Sequence, residues 1–321
     1  MIARYRKFVI KLVITGLVLF LLFSAVDIKA VGAHITDVSL GTIALAGLCY
    51  IAATLISTVR WALLLRVQGV SLPFRHLIAY NVSYTFYSLV LPGGKVAAEA
   101  VRVYQIVRDA TDDNVRGKVI FPTLLDRASA VFAAAIVAIT YFAFAGAEAL
   151  AELPTWFPYA AIVLIILIVL SVFLPVEKML KPLFGMPSQG KSSSTLASLT
   201  AALQIYRTHP FILGATAALS FLMLATISVG VWVIAASLGY YLPFVLIFGI
   251  FSTSMVAAFL PFTVAGVGIR EGTFAYVLAA ASAVSIEAAL SISLIALISS
   301  HIVTLCGGLV EFHRHFLQKS L

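Results

Sequence analysis

Charge is what this sequence has least of. Only 11% of its 321 residues are Asp, Glu, Lys or Arg, where a soluble domain carries about a quarter. That scarcity excludes an ordinary water-facing surface. Acids are the scarcer sign, 13 against 21 Lys and Arg, for a formal charge of +8. No basic run is interleaved with aromatics on a polar face, so no nucleic-acid partner is expected. The excess fits cytoplasmic loops of a membrane protein, where Lys and Arg collect. There are two cysteines, Cys49 and Cys306, both in apolar stretches with neither pairing nor metal-ligand spacing. They predict no disulfide framework and read as small core residues. HExxH, GxSxG and CxxC are absent, as is any His and carboxylate cluster at metal spacing. Gly266-Val267-Gly268 is no dinucleotide fingerprint, because Glu271 stands where the third glycine belongs. The residues call for no enzyme, metal or cofactor, and no ATP-binding motif is present.

What fills the sequence instead is apolar length. Hydrophobic residues make up 62% and the mean hydropathy is +1.09. Runs of roughly 18 or more apolar residues recur, the signal of spanning helices. A first span is expected over 8–26, after Arg4, Arg6 and Lys7. It lacks the small-residue cleavage site of a signal peptide, so a retained helix is expected. The loop after it holds Asp27, Lys29 and Asp37, and that asymmetry places the N-terminus in the cytoplasm. Further spans are expected over 40–65, 119–145, 157–174, 211–238 and 286–309, with the basic tail His313–Lys319 also cytoplasmic. Trp61 reads as an interfacial anchor near the end of the second span. A polar connection covers 175–210, and 195–207 reads as a surface helix.

Two stretches break the pattern. Residues 77–91 are stopped by Pro92-Gly93-Gly94, and the helix over 96–107 is too short to cross. Residues 244–260 are stopped by Pro261, Gly266 and Gly268, and 273–283 is again too short. Each pair predicts a re-entrant hairpin, because broken backbone at membrane depth is tolerated only inside protein or beside a wet cavity. The expected fold is an all-α polytopic membrane protein with about six full spans and two re-entrant helical hairpins. Half one (1–150) and half two (155–321) have the same order of elements, beginning on opposite sides. The expectation is therefore an inverted repeat within a single integral membrane domain, 1–321, with its linker near 146–158.

Each break delivers an arginine and an acid. Arg270 and Glu271 follow the glycines of FLPFTVAGVGIREG, where a helix start exposes N–H groups and a positive dipole end. Arg270 there makes an anion site suited to phosphate. Glu271 either neutralises Arg270 or meets a cationic headgroup, and a structural ion pair is the competing reading. Glu99 and Arg102 lie three apart on one helical face, as a second anion site or as an interfacial pair. Asp126 is placed to balance Arg102 across the bundle, and Arg127 either joins it or snorkels to the interface. His301 reads as a hydrogen-bonded core histidine ahead of a proton relay, His76 as interfacial, and Glu287 as the acid that starts the last helix.

The motifs LPGG…EAVRVY, LLDRASAV and FLPFTVAGVGIREGTF resemble the lysylphosphatidylglycerol synthase transmembrane family, over essentially the whole chain. The first departs from the family pattern, having Ala97-Ala98-Glu99 where members often have Gly-Gly-Asp before the arginine. The resemblance implies a flippase-like domain that moves a phosphate-bearing or otherwise polar-headed lipid across the cytoplasmic membrane. Its partners would be the bilayer, the lipid, and a synthase or a second copy. The alternatives are a membrane enzyme subunit acting on a lipid-linked sugar or aminoacyl-lipid, and a non-transporting assembly partner of a lipid synthase.

Overall fold

The computed structural model describes residues 26–91, 94–109, 115–144, 208–258 and 266–316, with isolated residues at 16–17, 20, 23–24, 163 and 205–206. The expected spans over 8–26 and 157–174, the polar connection after the latter, and the break residues Pro92, Gly93 and Pro261 lie outside the described residues, apart from a few isolated positions. Among the described residues every regular element is a helix. In order these are α1 (Ile28–Asp37), α2 (Leu40–Val67), α3 (Phe74–Val90), α4 (Lys95–Asp109), α5 (Val115–Phe144), α6 (Pro210–Ser237), α7 (Phe244–Ala257), α8 (Ile269–Ala281) and α9 (Ile286–Phe316).

Four of them, α2, α5, α6 and α9, are long and apolar enough to cross a membrane. At 1.5 Å per residue α2 and α6 reach about 42 Å, beyond the hydrocarbon core of about 30 Å. The other two pairs fall short. Helix α3 has 17 residues, α4 15, α7 14 and α8 13, or about 20–25 Å each. Their bounds follow the expected ones except at α8. That helix begins four residues before the expected start, so Arg270 and Glu271 lie in its first turn. Glycine at the N-cap lets the chain turn in earlier than a pattern of apolar residues discloses. The loop expected after the first span holds α1, because Asp27 accepts a hydrogen bond from the Lys29 N–H at 2.8 Å and nucleates a helix.

The long helices present apolar side chains outward, such as Leu45, Leu48 and Leu55 on α2 and Leu222 and Val229 on α6. Small residues face inward: Ala46, Ala53, Gly230 and Ala235. This is the composition of helix packing in lipid, where close backbone approach replaces hydrophobic drive. Buried hydroxyls return their proton to their own helix, as Ser228 does to the Leu224 carbonyl at 2.9 Å.

The two halves answer each other. Helix α2 packs most extensively against α6, α3 against α9, and α7 against α5. Exchanging the halves turns the last two contacts into one another. The turns entering the short pairs also match. After α2, Gly69 (φ 76°) donates to Arg66 and Val70 to Leu65. After α6, Gly239 (φ 86°) donates to Ala236 and Tyr240 to Ala235. Both are Schellman ends with glycine in the left-handed region. Both then run Leu-Pro-Phe, with Pro73 (φ −55°, ψ 134°) and Pro243 (φ −57°, ψ 134°) as helix caps. Residues 69–74 and 239–244 share the pattern Gly-x-x-Leu-Pro-Phe.

Candidate functional site

Gly266 and Gly268 set the geometry of the second break. At Gly266 (φ 83°) an added Cβ would stand 2.8 Å from the Ala258 carbonyl oxygen, so no side chain fits where the end of α7 meets the start of α8. Gly268 (φ 88°) caps α8. Glu271 folds back, and its Oε2 accepts the Gly268 N–H at 2.7 Å, which is the return arm of a capping box. Its Oε1 accepts from Arg270 Nε at 2.8 Å. Arg270 Nη2 stands 2.6 Å from the same Oε1 as an ion pair, but out of line for a hydrogen bond. Both oxygens of Glu271 are thus engaged and the side chain is 1% exposed, while that of Arg270 is 17% exposed. Arg270 therefore keeps donors for something else.

They face a cavity of about 260 Å³ lined from both halves of the chain. Tyr50 comes from α2, Tyr84 and Ser88 from α3, Lys95 from the start of α4, Arg270 and Glu271 from α8, and Ser300, His301 and Thr304 from α9. Beside the cavity, Tyr50 Oη and Arg270 Nη2 are buried without a hydrogen-bond partner. The guanidinium can only donate, whereas the Tyr50 hydroxyl can donate or accept. Several lining hydroxyls are turned the other way. Thr54, Thr85, Ser88 and Ser300 donate to their own helix carbonyls at 2.6–2.8 Å, leaving oxygen lone pairs for a ligand. His301 Nδ1 is 2.6 Å from the Leu297 carbonyl, so that nitrogen carries a proton.

The first-half pair lies in a different environment. Arg102 is 2% exposed, and its Nη2 is 2.9 Å from Glu99 Oε2 and 3.2 Å from Asp126 Oδ2. Its Nη1 donates to Asn81 Oδ1 at 3.0 Å. The guanidinium carbon stands 4.1 Å from the Trp61 ring centre. Asp126 Oδ1 accepts from Arg60 Nε at 2.7 Å, and Arg60 Nη1 donates to Ser220 at 3.0 Å on α6. Two arginines and two carboxylates thus cancel within one buried cluster, the condition under which buried charge is tolerable.

The structure thus groups Arg270, Glu271 and Gly266 in the cavity wall, with Gly268 capping α8 beside them. It places Arg102, Glu99 and Asp126 in the neighbouring network, with Asp126 against Arg102 as expected. Arg127 lines a separate space of about 10 Å³ beside Glu99 and Thr123, room for one water. Trp61 is no interfacial anchor. It is fully buried and donates to Thr123 of α5 at 3.1 Å, in a core cluster with Val103 and Ile106 of α4 and under the Arg102 guanidinium. Cys306 is exposed, not core. Sequence reasoning missed Lys95, Tyr50, Arg60 and Asn81. Lys95 stands directly after Pro92-Gly93-Gly94, so its position beside a break was a usable signal. Tyr50, Arg60 and Asn81 lie inside ordinary helices and carry none. It also missed Glu311, which accepts from Tyr87 and Gln105, both at 2.9 Å, and ties α9 to α3 and α4.

A family model described as the lysylphosphatidylglycerol synthase TM region matches residues 8–308. No curated protein matches the chain.

Proposed function

This chain belongs to the lysylphosphatidylglycerol synthase transmembrane family, and on that footing we propose that it transports a polar-headed, phosphate-bearing lipid across the cytoplasmic membrane. The observation that carries the reading is the cavity between the halves, lined by Arg270 and Lys95, with the Tyr50 hydroxyl buried beside it without a hydrogen-bond partner. A buried unpaired donor costs about 1–3 kcal/mol, and an anionic ligand recovers that cost. The volume of about 260 Å³ lies below the roughly 300–1,000 Å³ of sites that enclose whole drug-sized molecules. It suits a headgroup whose acyl chains stay in lipid. The chain acts as carrier, not catalyst.

The transport cycle we infer rests on an inverted repeat in one domain, 1–321. Its support is the repeated Gly-x-x-Leu-Pro-Phe turn and the exchange of contacts between halves. The short pairs α3–α4 and α7–α8 are read as re-entrant hairpins, closed at Pro92-Gly93-Gly94 and at Pro261. Each half then has three crossings, and an odd number inverts the second half relative to the first, with both termini cytoplasmic. In the present conformation the headgroup meets Arg270, while the Arg102 cluster is sealed. Rocking of one half on the other exchanges these roles, so that Arg102, Glu99, Asp126 and Arg127 face the substrate in the opposite state.

Lipid mass spectrometry on the purified protein tests the reading. Wild type should retain a defined phospholipid that Arg270→Gln loses. Equal retention by the variant would remove Arg270 from the site.

A further inference from the structure

The cavity also has a charge, and that charge selects among headgroups. Resting on the transport reading above, we infer that the site takes a singly anionic phosphodiester headgroup without an ammonium, and discriminates against amine-bearing headgroups. Among the described residues, the Lys, Arg, Asp and Glu side chains lining the cavity are Arg270, Lys95 and Glu271. Together they leave one net positive charge, which a phosphodiester cancels and a zwitterion does not.

The carboxylates make the argument specific. An ammonium group in a low-dielectric cavity needs a counter-charge of its own, because burying it unpaired is costly. Glu271 is the carboxylate in the wall, and both its oxygens are engaged, one by the Gly268 N–H at 2.7 Å and the other by Arg270 at 2.8 Å. Freeing it would uncap α8. The nearest alternatives, Glu99 and Asp126, are committed to Arg102 and Arg60. Arg270, whose side chain is 17% exposed where it lines the cavity, carries only donors, so it asks for acceptor oxygens. The hydroxyls whose lone pairs remain open, Ser88 and Ser300 among them, accept from O–H and N–H alike, so they hold a headgroup without selecting it, and the selection falls to charge.

The test measures binding to the purified full-length protein in detergent by calorimetry, with dihexanoyl-phosphatidylglycerol, dihexanoyl-phosphatidylethanolamine, a lysyl ester of the former, and glycerophosphoglycerol without chains. Dihexanoyl-phosphatidylglycerol should bind at least about tenfold tighter than either amine-bearing lipid, a factor worth about 1.4 kcal/mol. Lys95→Gln should erase that preference and Lys95→Glu should reverse it, with melting temperatures showing that both variants fold. If either variant does not fold, raising the salt concentration on the wild type should shrink the same preference. Equal or inverse affinities in the wild type would overturn the inference. Tight binding of glycerophosphoglycerol would overturn its lipid part and leave a soluble phosphodiester as ligand. Vesicle translocation of all three lipid headgroup types without preference would sink the selectivity while leaving transport standing. Selective binding without any translocation would sink transport while leaving the selectivity.

Discussion

Arg102 and Arg270 look alike in the chain, each beside a carboxylate and just after a glycine-bearing break, and the fold treats them differently. Arg102 is enclosed by Glu99, Asp126, Asn81 and Trp61. Arg270 has a single carboxylate, itself half-committed to capping α8, and a cavity in front of it. What separates the two arginines is the number of partners that distant helices bring to them. Arg60 on α2, Asn81 on α3 and Asp126 on α5 converge on the Arg102 cluster, whereas the ion-pair partner given for Arg270 among the described residues is its own neighbour Glu271.

Removing Asp126 breaks the comparison most severely. Asp126→Ala leaves Arg60 and Arg102 facing Glu99 alone, and breaking a buried ion pair costs about 3–5 kcal/mol. A large drop in the thermal midpoint, or loss of folded protein, is expected by scanning fluorimetry in detergent. Arg270→Gln removes the charge partner of the buried Glu271 but leaves its Gly268 hydrogen bond, so it should lower the same midpoint less than Asp126→Ala while removing ligand binding. Next comes Gly266→Ala. Left-handed backbone costs an L-residue about 1–2 kcal/mol, and the new Cβ would press on the Ala258 carbonyl at 2.8 Å. Stability should fall visibly, and the cavity wall should move. Glu271→Gln sharpens the contrast more gently. The amide oxygen can still accept the Gly268 N–H, so the loss should be about 1 kcal/mol, and anion affinity should rise with the charge removed. The smallest effect is expected from Tyr50→Phe. It deletes a donor that has no partner, so stability should hold or rise slightly while headgroup affinity falls a few-fold, as titration calorimetry would show.

The sequence announced much of this fold and only part of this site. Long apolar runs located α2, α5 and α6 to within four residues and the start of α9, whose end runs seven residues past the expected one, since length and composition alone decide which helices reach across hydrocarbon. The proline and glycine breaks located the short pairs, and the spacing of Glu99 and Arg102 put them on one face, but their pair is buried and not interfacial. Three things escaped. Lys95 follows a break without an acid beside it, and attention to Arg–carboxylate pairs passes it over. Trp61 and Arg60 sit where an interfacial belt was expected, and only the partners brought by other helices, Thr123 and Asp126 of α5 and Ser220 of α6, reveal that they are buried. The Gly-x-x-Leu-Pro-Phe repeat was readable in the letters, but neither copy carries a charge. Its meaning lies in two matching positive-φ glycines, a backbone property that a residue pattern implies only when both copies are compared.

The most direct test of the account is translocation of a fluorescent phosphatidylglycerol in reconstituted vesicles, read by quenching of the outer leaflet, for wild type and Arg270→Gln incorporated to the same density. The account predicts rapid loss of leaflet asymmetry with wild type and the protein-free rate with Arg270→Gln, with a cooperative melting transition showing that the variant is folded. A variant that moves the lipid as fast as wild type would contradict it.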